Sequence, residues 1–317
     1  MKTWKGVREY GALKVSGTTL IGSSGEAVML DGMSSHGIQW YSKFARKKSI
    51  EMTKKAGANV FRVAMYTGEG GYLTNPKIAE DVIRAVDDAL SLDMYAIIDW
   101  HILTDNDPLS NAGKAEAFFA GMSRRYGNEP GVLYEICNEP NGPGVTWTSC
   151  VKPYAERLIP VIRANTDAVI LVGCPNWSQD VDIAAADPLD FDNIMYTLHF
   201  YAGTHGEKLR DKCRRAISSG APVFASEWGV SRANGTGGVF TKESDAWLDF
   251  LDRYNISRCN WNLSDKDETS AALLPGSPEG WGEKHLSLSG RYVFARMSCR
   301  PFEIVPKNND SHFQGPM

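Results

Sequence analysis

Apolar runs typical of strands recur along the whole chain, and amphipathic stretches separate them. We place these runs at residues 28–36, 59–65, 95–101, 132–138, 169–173, 194–200, 222–227 and 256–262. Most of them are apolar at both odd and even positions, as strands covered on both faces must be. Strand and helix units repeated in this way predict an α/β fold, a (β/α)8 TIM barrel with one closed parallel sheet.

The stretches between the runs have the periodicity of surface helices. After Asn75 and Pro76, a cap residue followed by proline, apolar side chains recur every four residues at Ile78, Val82, Val86 and Leu90. Further helices are predicted near residues 46–56, 113–126, 152–165, 209–217, 241–254 and 284–297. A doubly wound sheet is the alternative fold, but its polar strand ends would not share a single rim.

Residues 1–317 are predicted to form one domain, because barrels routinely reach this length as single domains. With 43% hydrophobic and 23% charged residues, the chain has enough apolar material for a large core. Within residues 1–27 we predict a short β-hairpin with a Gly-containing turn that closes the bottom of the barrel. Residues 301–317 are polar and are predicted to form a frayed tail.

Composition disfavours several classes of partner. The formal net charge is −4 and no Lys/Arg run is interleaved with aromatic residues, so nucleic acid is not an expected partner. No stretch approaches the roughly 18 apolar residues that span a bilayer, so no membrane partner is expected either. The six cysteines are scattered without CxxC spacing, and we interpret most as buried small apolar residues rather than zinc ligands.

Two glutamates end strand-type runs in similar surroundings: Glu139 in VLYEICNEP and Glu227 in PVFASEWG. The active site of a (β/α)8 barrel lies at the C-terminal ends of its strands, so both carboxyl groups are expected to face one bowl. The same strand ends supply further polar and aromatic candidates, namely His36, Arg62, Tyr66, His101, Asn138, His199, Tyr201 and Trp261.

Two carboxyl groups on one rim suggest cleavage of a glycosidic bond. A retaining glycosidase holds them about 5–5.5 Å apart, one as nucleophile and one as acid and then base. Like charges at that distance repel by roughly 3 kcal/mol at an effective dielectric near 20, so one group must keep a proton near neutral pH. The carboxyl group beside a cation will be the ionised one. Arg62 is the candidate cation, although it could instead neutralise Asp99 or Glu135.

Several motifs together resemble glycoside hydrolase family 5. Four lie at strand ends: WH at 100–101, NEP at 138–140, HFY at 199–201 and EWG at 227–229. Two more, SSHGIQW at 34–40 and SDKDETSAAL at 264–273, resemble the bacterial endoglucanase (cellulase) subfamily. The resemblance extends from about residue 28 to 288, with the motifs in the right order along the predicted strands.

The resemblance implies roles that spacing alone leaves open. Glu139 would be the acid/base and Glu227 the nucleophile. Arg62 and Tyr201 would hydrogen-bond Glu227, and Asn138 would hold the 2-hydroxyl group of the sugar.

The resemblance also implies substrate contacts. His101 and His199 would line the cleaved subsite, although each could be a satisfied core histidine. Trp177 would stack on the leaving-group side. Glucosyl units on the non-reducing side would meet His36, Trp40, Tyr66, Trp261, Lys266 and Glu268. Lys266 and Glu268 could instead form only a surface ion pair. Trp247, on a helix stripe, is expected to be in the core, and Trp228 is expected to face the helical layer.

The sequence therefore predicts a retaining endo-β-1,4-glucanase that needs no metal or cofactor and acts on a β-1,4-glucan as a monomer. Mannan, xylan and mixed-linkage glucan remain alternative substrates, and a sugar-binding barrel without activity is the non-enzymatic alternative. Such a barrel would be expected to have lost one glutamate. No HxH, HExxH or GxSxG motif supports a metal-dependent or triad hydrolase. Although the N-terminus lacks the apolar segment of a signal peptide, secretion is expected because polymeric cellulose cannot enter a cell.

Overall fold

The structure, a computed structural model, describes residues 5–299 and residue 302. Its strands are β1 (Lys14–Ser16), β2 (Thr19–Ile21), β3 (Ala27–Val28), β4 (Asp31–Ser35), β5 (Val60–Tyr66), β6 (Tyr95–His101), β7 (Val132–Glu135), β8 (Ile170–Val172), β9 (Ile194–Tyr201), β10 (Val223–Gly229) and β11 (Arg258–Leu263). Strands β4 to β11 pair in parallel with their neighbours in sequence, and β11 pairs with β4 to close the barrel. The predicted (β/α)8 barrel is confirmed.

The helices are α1 (Val7–Tyr10), α2 (Ile38–Tyr41), α3 (Lys47–Lys55), α4 (Ala79–Ser91), α5 (Ala112–Arg125), α6 (Lys152–Arg163), α7 (Pro175–Ser178), α8 (Val181–Ala186), α9 (Glu207–Ser218), α10 (Thr241–Arg253) and α11 (Leu288–Met297). The seven of them with nine or more residues match the predicted helices to within a few residues. The four shorter ones were not predicted, because four to six residues are too few to show a helical period. No helix in the described part of the chain is long and apolar enough to cross a membrane.

The first predicted strand has different bounds from those expected. The run 28–36 is divided between β3, which belongs to a separate antiparallel sheet, and β4, which starts at Asp31. Every residue of β4 is buried, including Asp31, whose carboxylate pairs with Arg258 of β11. The charge at this position is therefore part of the barrel wall, and only β4 of the predicted run belongs to the closed sheet.

The N-terminal sheet of β1, β2 and β3 closes the bottom of the barrel, as predicted. Leu13, Leu20 and Val28 pack in one apolar cluster with barrel residues that include Tyr95 and Leu133. A second and larger cluster fills the layer between the sheet and the helices. The expected tail, 301–317, lies outside the described residues except for Phe302, and the assignment of 1–317 to one domain stays a prediction.

Tryptophan and cysteine positions agree with the sequence analysis. Trp228 and Trp247 are buried in the helical layer, where both stack on Phe200 with ring centroids 5.9 and 4.0 Å from it. Five of the six cysteines are buried and Cys299 is exposed, and none of the six is in a disulfide.

Candidate active site

A cleft of about 520 Å³ lies at the C-terminal ends of the barrel strands. It is lined by eleven of the fourteen predicted site residues: His36, Tyr66, His101, Glu139, Trp177, His199, Tyr201, Glu227, Trp261, Lys266 and Glu268. Of the other three, Arg62 and Asn138 are fully buried and Trp40 packs beside Tyr66. A cavity of similar size, about 540 Å³, is lined only by helix and loop residues around α3 and α11. The cleft is therefore the place where the predicted residues meet.

The two glutamates face each other in this cleft. Glu227 lies in β10 and Glu139 follows β7, and one carboxylate oxygen of each lies within 4.8 Å of the other. This separation fits the carboxyl pair of a retaining glycosidase at about 5–5.5 Å and is shorter than the roughly 6.5–9.5 Å of an inverting pair.

Both oxygens of Glu227 accept hydrogen bonds. Tyr201 donates its hydroxyl to Oε1 at 2.7 Å, and Nη1 of Arg62 donates to Oε2 at 3.2 Å. Burial and the charges of Glu227 and Glu139 raise the pKa of Tyr201, so its hydroxyl keeps the proton that it donates. Glu227 is thus held rigidly in an environment that suits a carboxylate nucleophile.

Arg62 links the cleft to acidic groups beneath it. Its Nε and Nη2 atoms form a bidentate pair with Glu135 at 2.7 and 3.1 Å, and Nη2 also lies 3.0 Å from Asp99 and 2.6 Å from Oδ1 of Asn138. Burial alone would lower the pKa of Arg62, but the charges of Asp99, Glu135 and Glu227 outweigh it and the pKa is raised. The two sequence-based readings of Arg62 therefore both hold, because one guanidinium contacts all three carboxyl groups.

The two deep acids differ in protonation. Burial raises the pKa of Asp99 well above its usual range, and the Arg62 charge only partly offsets this effect. Burial also acts to raise the pKa of Glu135, but its contact with Arg62 prevails and the pKa falls to about 2. Asp99 contacts Nδ1 of His101 at 2.6 Å, and the pKa of His101 falls to about 3 because of burial and the nearby Arg62 charge. Glu135 is therefore ionised and His101 neutral at ordinary pH.

Glu139 lies in a different environment from Glu227. Burial and the neighbouring charge of Glu227 raise the pKa of Glu139. Its Oε1 lies 2.9 Å from Nδ1 of His199. Burial would lower the pKa of His199, but Glu135, whose Oε1 lies 3.7 Å from Nε2, together with Glu139 and the charge of Glu227, raises it to about 9. The Glu139–His199 pair thus retains a proton through neutral pH, as a general acid requires.

Asn138 has its side-chain amide engaged by the protein. Its Oδ1 accepts from Arg62, and its Nδ2 donates to the carbonyl of Ile102 at 3.0 Å and lies 3.3 Å from Nε2 of His101. One amide proton is thus committed to the backbone and the other points towards His101. The predicted contact of Asn138 with the sugar 2-hydroxyl stays a prediction.

Flat rings surround the carboxyl pair. His101 stacks on Trp261 with centroids 5.1 Å apart, and Tyr66 packs 4.2 Å from His101 and 5.0 Å from Trp40. Trp40 and Trp177 are 47% and 44% exposed, which is unusual for tryptophan. Such exposed rings can pack on the C–H faces of pyranose rings.

Trp177 owes its position to an unusual turn. In α7 the residues Asn176, Trp177 and Ser178 all have left-handed backbone conformations, with φ between 55° and 59°. This conformation costs energy for residues other than glycine and recurs at active sites. Together with Pro175, the turn places the indole of Trp177 at the rim of the cleft.

Lys266 and Glu268 form an ion pair at 2.7 Å and also line the cleft. Nζ of Lys266 lies 3.4 Å from Nε2 of His36, and Asn262 donates to Oε1 of Glu268 at 3.0 Å. Burial and the Lys266 charge lower the pKa of His36 to about 3, so this imidazole is neutral. The pair is therefore more than a surface contact, and its binding of sugar stays a prediction.

Seven residues of the cleft were not predicted from the sequence, and all but Asn176 of α7 lie in loops: Leu103, Asn176, Gln179, His205, Ala233, Asn234 and Gly235. His205 shows why. It follows β9 by four residues, and its Nδ1 accepts the backbone N–H of Tyr201 at 2.9 Å. No strand-end rule identifies such a residue, although its four-residue spacing from Tyr201 in a short loop was a usable signal.

Among the described residues, one group of three side chains is close enough together to hold a metal ion: Glu139, His199 and Glu227. Nδ1 of His199 faces Glu139, however, and both oxygens of Glu227 accept from Tyr201 and Arg62. The guanidinium of Arg62 already supplies positive charge at Glu227. The arrangement fits a hydrogen-bonded carboxyl pair beside a fixed cation rather than a metal centre.

Comparison with known proteins agrees with this geometry. A family model described as Cellulase (glycosyl hydrolase family 5) matches residues 21–267. An endoglucanase of Clostridium saccharobutylicum is 51% identical over 288 residues, which cover 89% of this chain and 64% of that protein. Endoglucanase A of Evansella cellulosilytica is 50% identical over 289 residues, which cover 90% of this chain and 59% of that protein. The chain thus spans about three fifths of the length of these curated relatives.

A solved structure extends the similarity to three dimensions. The catalytic domain of Thermobifida fusca endoglucanase Cel5A, in complex with cellotetraose, is 36% identical to this chain with a TM-score of 0.88. The match covers 92% of this chain and 98% of that one. With the family model and both curated relatives in agreement, the chain belongs to glycosyl hydrolase family 5.

Proposed function

We propose that this chain is a retaining endo-β-1,4-glucanase, a cellulase that hydrolyses internal β-1,4-glucosidic bonds by double displacement. The observation that carries the proposal is the carboxyl pair within 4.8 Å, in which Glu227 contacts Arg62 and Tyr201 whereas Glu139 contacts His199. Two carboxyl groups at this separation but in unlike surroundings can divide the roles of nucleophile and acid.

In the first step, an oxygen of Glu227 attacks the anomeric carbon and forms a covalent ester. The bond from that carbon to the glycosidic oxygen breaks, and Glu139 gives its proton to the departing oxygen. In the second step, Glu139 takes a proton from water, and the water oxygen displaces Glu227 from the anomeric carbon. Two inversions leave the configuration of the sugar unchanged.

The other predicted residues support these steps. Arg62 and Tyr201 orient Glu227, Asn138 holds the 2-hydroxyl group, and His101 and His199 border the cleaved subsite. Trp177 supports the leaving-group side. We assign glucosyl units on the non-reducing side to His36, Trp40, Tyr66, Trp261, Lys266 and Glu268.

A β-1,4-glucan is the proposed substrate because the similar curated proteins are named endoglucanases and the Thermobifida fusca domain binds cellotetraose. Because a polymer of this kind cannot enter a cell, we also propose that the protein acts outside the cell. We further propose that it acts as a monomer without metal or cofactor, since both carboxyl groups come from the same chain. Light scattering coupled to gel filtration tests the oligomeric state. An activity assay with and without a chelator tests whether a metal is needed.

The test of function is a panel of polysaccharides assayed for new reducing ends, with the first anomer released identified by NMR. We expect the fastest hydrolysis on soluble cellulose derivatives and a β-anomer as the first product. Faster hydrolysis of mannan, xylan or mixed-linkage glucan would replace the substrate assignment and keep the mechanism. An α-anomer as the first product would refute the mechanism, and no hydrolysis with retained oligosaccharide binding would favour the sugar-binding barrel.

A further inference from the structure

A chain of hydrogen bonds runs from the cleft into the barrel behind Glu139. Nδ1 of His199 lies 2.9 Å from Oε1 of Glu139, and Nε2 of His199 lies 3.0 Å from Oγ of Ser226. The Ser226 hydroxyl lies 2.7 Å from Oε1 of Glu135. All four residues are buried, and only Glu139 and His199 line the cleft. Ser226 and Glu135 thus contact the acid/base only through His199.

A register shift in β10 brings Ser226 into this series of hydrogen bonds. Successive side chains of a regular strand point to opposite faces. Ser226 and Glu227 are consecutive in β10, yet Ser226 contacts His199 and Glu135 while Glu227 contacts Arg62 and Tyr201. The pairing of β10 with β9 is irregular between Phe224 and Glu227. Such a bulge re-aims side chains next to active sites, and here it turns both residues towards the barrel interior.

The hydrogen bonds from His199 through Ser226 to Glu135 can have only one donor-to-acceptor direction. Glu135 is ionised because Arg62 holds both of its oxygens, so it can only accept hydrogen bonds. The Ser226 hydroxyl therefore donates to Glu135. A hydroxyl has one proton to donate, so Oγ of Ser226 must accept the Nε2–H of His199. A neutral His199 consequently presents a lone pair at Nδ1 to Glu139.

Because the direction of these hydrogen bonds is fixed, one protonation state of the Glu139–His199 pair is unfavourable. An ionised Glu139 facing a neutral His199 would place two lone pairs 2.9 Å apart with no proton between them. Every other state of the pair has a proton between Nδ1 and Oε1. We propose that Ser226 and Glu135 are positioning residues for the acid/base step, which act through His199 to keep a proton between Nδ1 and Oε1 of Glu139. This inference rests on the proposed function and extends it to residues that do not touch substrate.

The groups around this pair come from several elements of the barrel. The titratable and charged groups that interact electrostatically with His199 or Glu139 are Arg62, Tyr66, Asp99, His101, Glu135, Tyr201 and Glu227. Removing the Ser226 hydroxyl leaves all of them in place. The acceptor left near Nε2 of His199 is then Oε1 of Glu135 at 3.7 Å, which is beyond hydrogen-bond distance. The Nε2 proton is therefore held less strongly, and His199 can instead carry its single proton on Nδ1 and donate it to an ionised Glu139. The pair therefore loses its extra proton at lower pH when Ser226 is replaced by alanine.

The test is Ser226→Ala, assayed on two aryl β-cellobiosides. Phenoxide is a poor leaving group that needs the proton of Glu139, whereas 2,4-dinitrophenoxide leaves without one. At pH values above the alkaline limb, we expect kcat/KM to fall about tenfold more on the phenyl than on the dinitrophenyl substrate. We also expect the alkaline limb of kcat/KM on the phenyl substrate to move about one pH unit lower. The ratio of the two substrates does not depend on the fraction of folded enzyme.

Two further variants complete the experiment. Ser289→Ala is the matched control, because Oγ of Ser289 is buried in α11 without a hydrogen-bond partner among the described residues. It should alter neither the substrate ratio nor the pH limb. Ser226→Thr restores a hydroxyl and should return the limb towards its original position. Equal losses on both substrates with an unmoved limb in Ser226→Ala would overturn the inference. A parent enzyme inactive on both substrates would instead overturn the proposed function.

Discussion

The two ends of the barrel each bury an arginine, and the two are used differently. At the bottom, Arg258 pairs with Asp31 at 2.7 Å and with Asp252 at 2.7 Å, and Asp252 is partly open to solvent. At the top, Arg62 is completely buried and contacts Asp99, Glu135 and Glu227. Arg258 has two acids beside it, one of them at the surface, whereas Arg62 has three in the interior.

The difference shows how one fold separates stability from chemistry. Asp31 and Arg258 complete the barrel wall at the bottom, and their sequence neighbours Leu30 and Cys259 belong to the same apolar cluster as Leu13, Leu20 and Val28. The top cluster has more carboxyl groups than cations, so some of them must hold protons, and this excess makes an acid available beside a nucleophile. In barrels of this kind the C-terminal face carries function and the N-terminal face carries stability.

The largest effect is expected at the top carboxyl pair. Glu227→Gln or Glu139→Gln should lower kcat on cellulose derivatives by about 10⁴-fold, because each removes a group that makes or breaks bonds. Folding and oligosaccharide binding should persist, which calorimetry can check. Asp252→Asn at the bottom is the control and should keep its activity. Near-normal turnover in either glutamine variant would refute the assignment.

The same substitution in the two arginines separates their roles. Arg62→Lys and Arg258→Lys both keep a positive charge but lose the planar fork that joins several carboxylates. Each should lower the free energy of unfolding by about 2 kcal/mol, measured by denaturant titration. Only Arg62→Lys should also lower kcat, by about tenfold or more, because Glu227 loses its alignment. A similar loss of kcat in Arg258→Lys would contradict the separation of the two ends.

Thermal stability should depend on pH because of His199 and Glu139 at the top of the barrel. The pKa of His199 is about 9 in the folded protein, above its unfolded value of about 6.5. The stabilisation from this shift is fully present below about pH 6.5 and is lost as pH rises through about 9. The raised pKa of Glu139 acts with the same sign.

We therefore expect Tm to fall across this window in the parent protein and to fall less steeply in His199→Gln, in scans of Tm against pH. Arg258→Lys should keep the parent slope, because it leaves His199, Glu139 and their contacts unchanged. Equal slopes of Tm against pH in the parent protein and His199→Gln would show that the Glu139–His199 pair does not hold the proton.

The smallest effect is expected at an exposed ring of the rim. Trp40→Ala should raise KM on long glucans by about fivefold, equivalent to about 1 kcal/mol of lost stacking, with a smaller change in kcat. The comparison is Trp247→Ala, which removes a fully buried ring and should cost about 3–5 kcal/mol of stability. An unchanged KM on long chains would remove Trp40 from the binding surface.

The fold was largely predictable because the long elements carry clear periods. Val82, Val86 and Leu90 identified α4, and apolar residues at both parities identified the barrel strands. The short α7 and α8 were not predictable, since a period cannot be read from four or six residues. The division of 28–36 between two sheets depends on Asp31 meeting Arg258, a contact between residues far apart in sequence.

Strand ends identified most of the cleft, including Glu139 and Glu227, because the fold brings those ends to one rim. The resemblance to family 5 supplied the roles that position alone left open. Ser226 and Glu135 were not recognised as partners of His199, because the inward orientation of Ser226 depends on a bulge that the sequence does not reveal. His205 was missed because it lies in a loop.

The most direct test of the account is to trap the covalent intermediate. The enzyme is incubated with 2,4-dinitrophenyl 2-deoxy-2-fluoro-β-cellobioside, in which fluorine slows both steps and the activated leaving group restores the first. Peptide mass spectrometry then locates the added sugar. We predict one label per chain, on Glu227. A label on Glu139, or no label in an enzyme that hydrolyses cellulose with inversion, would contradict the central claim.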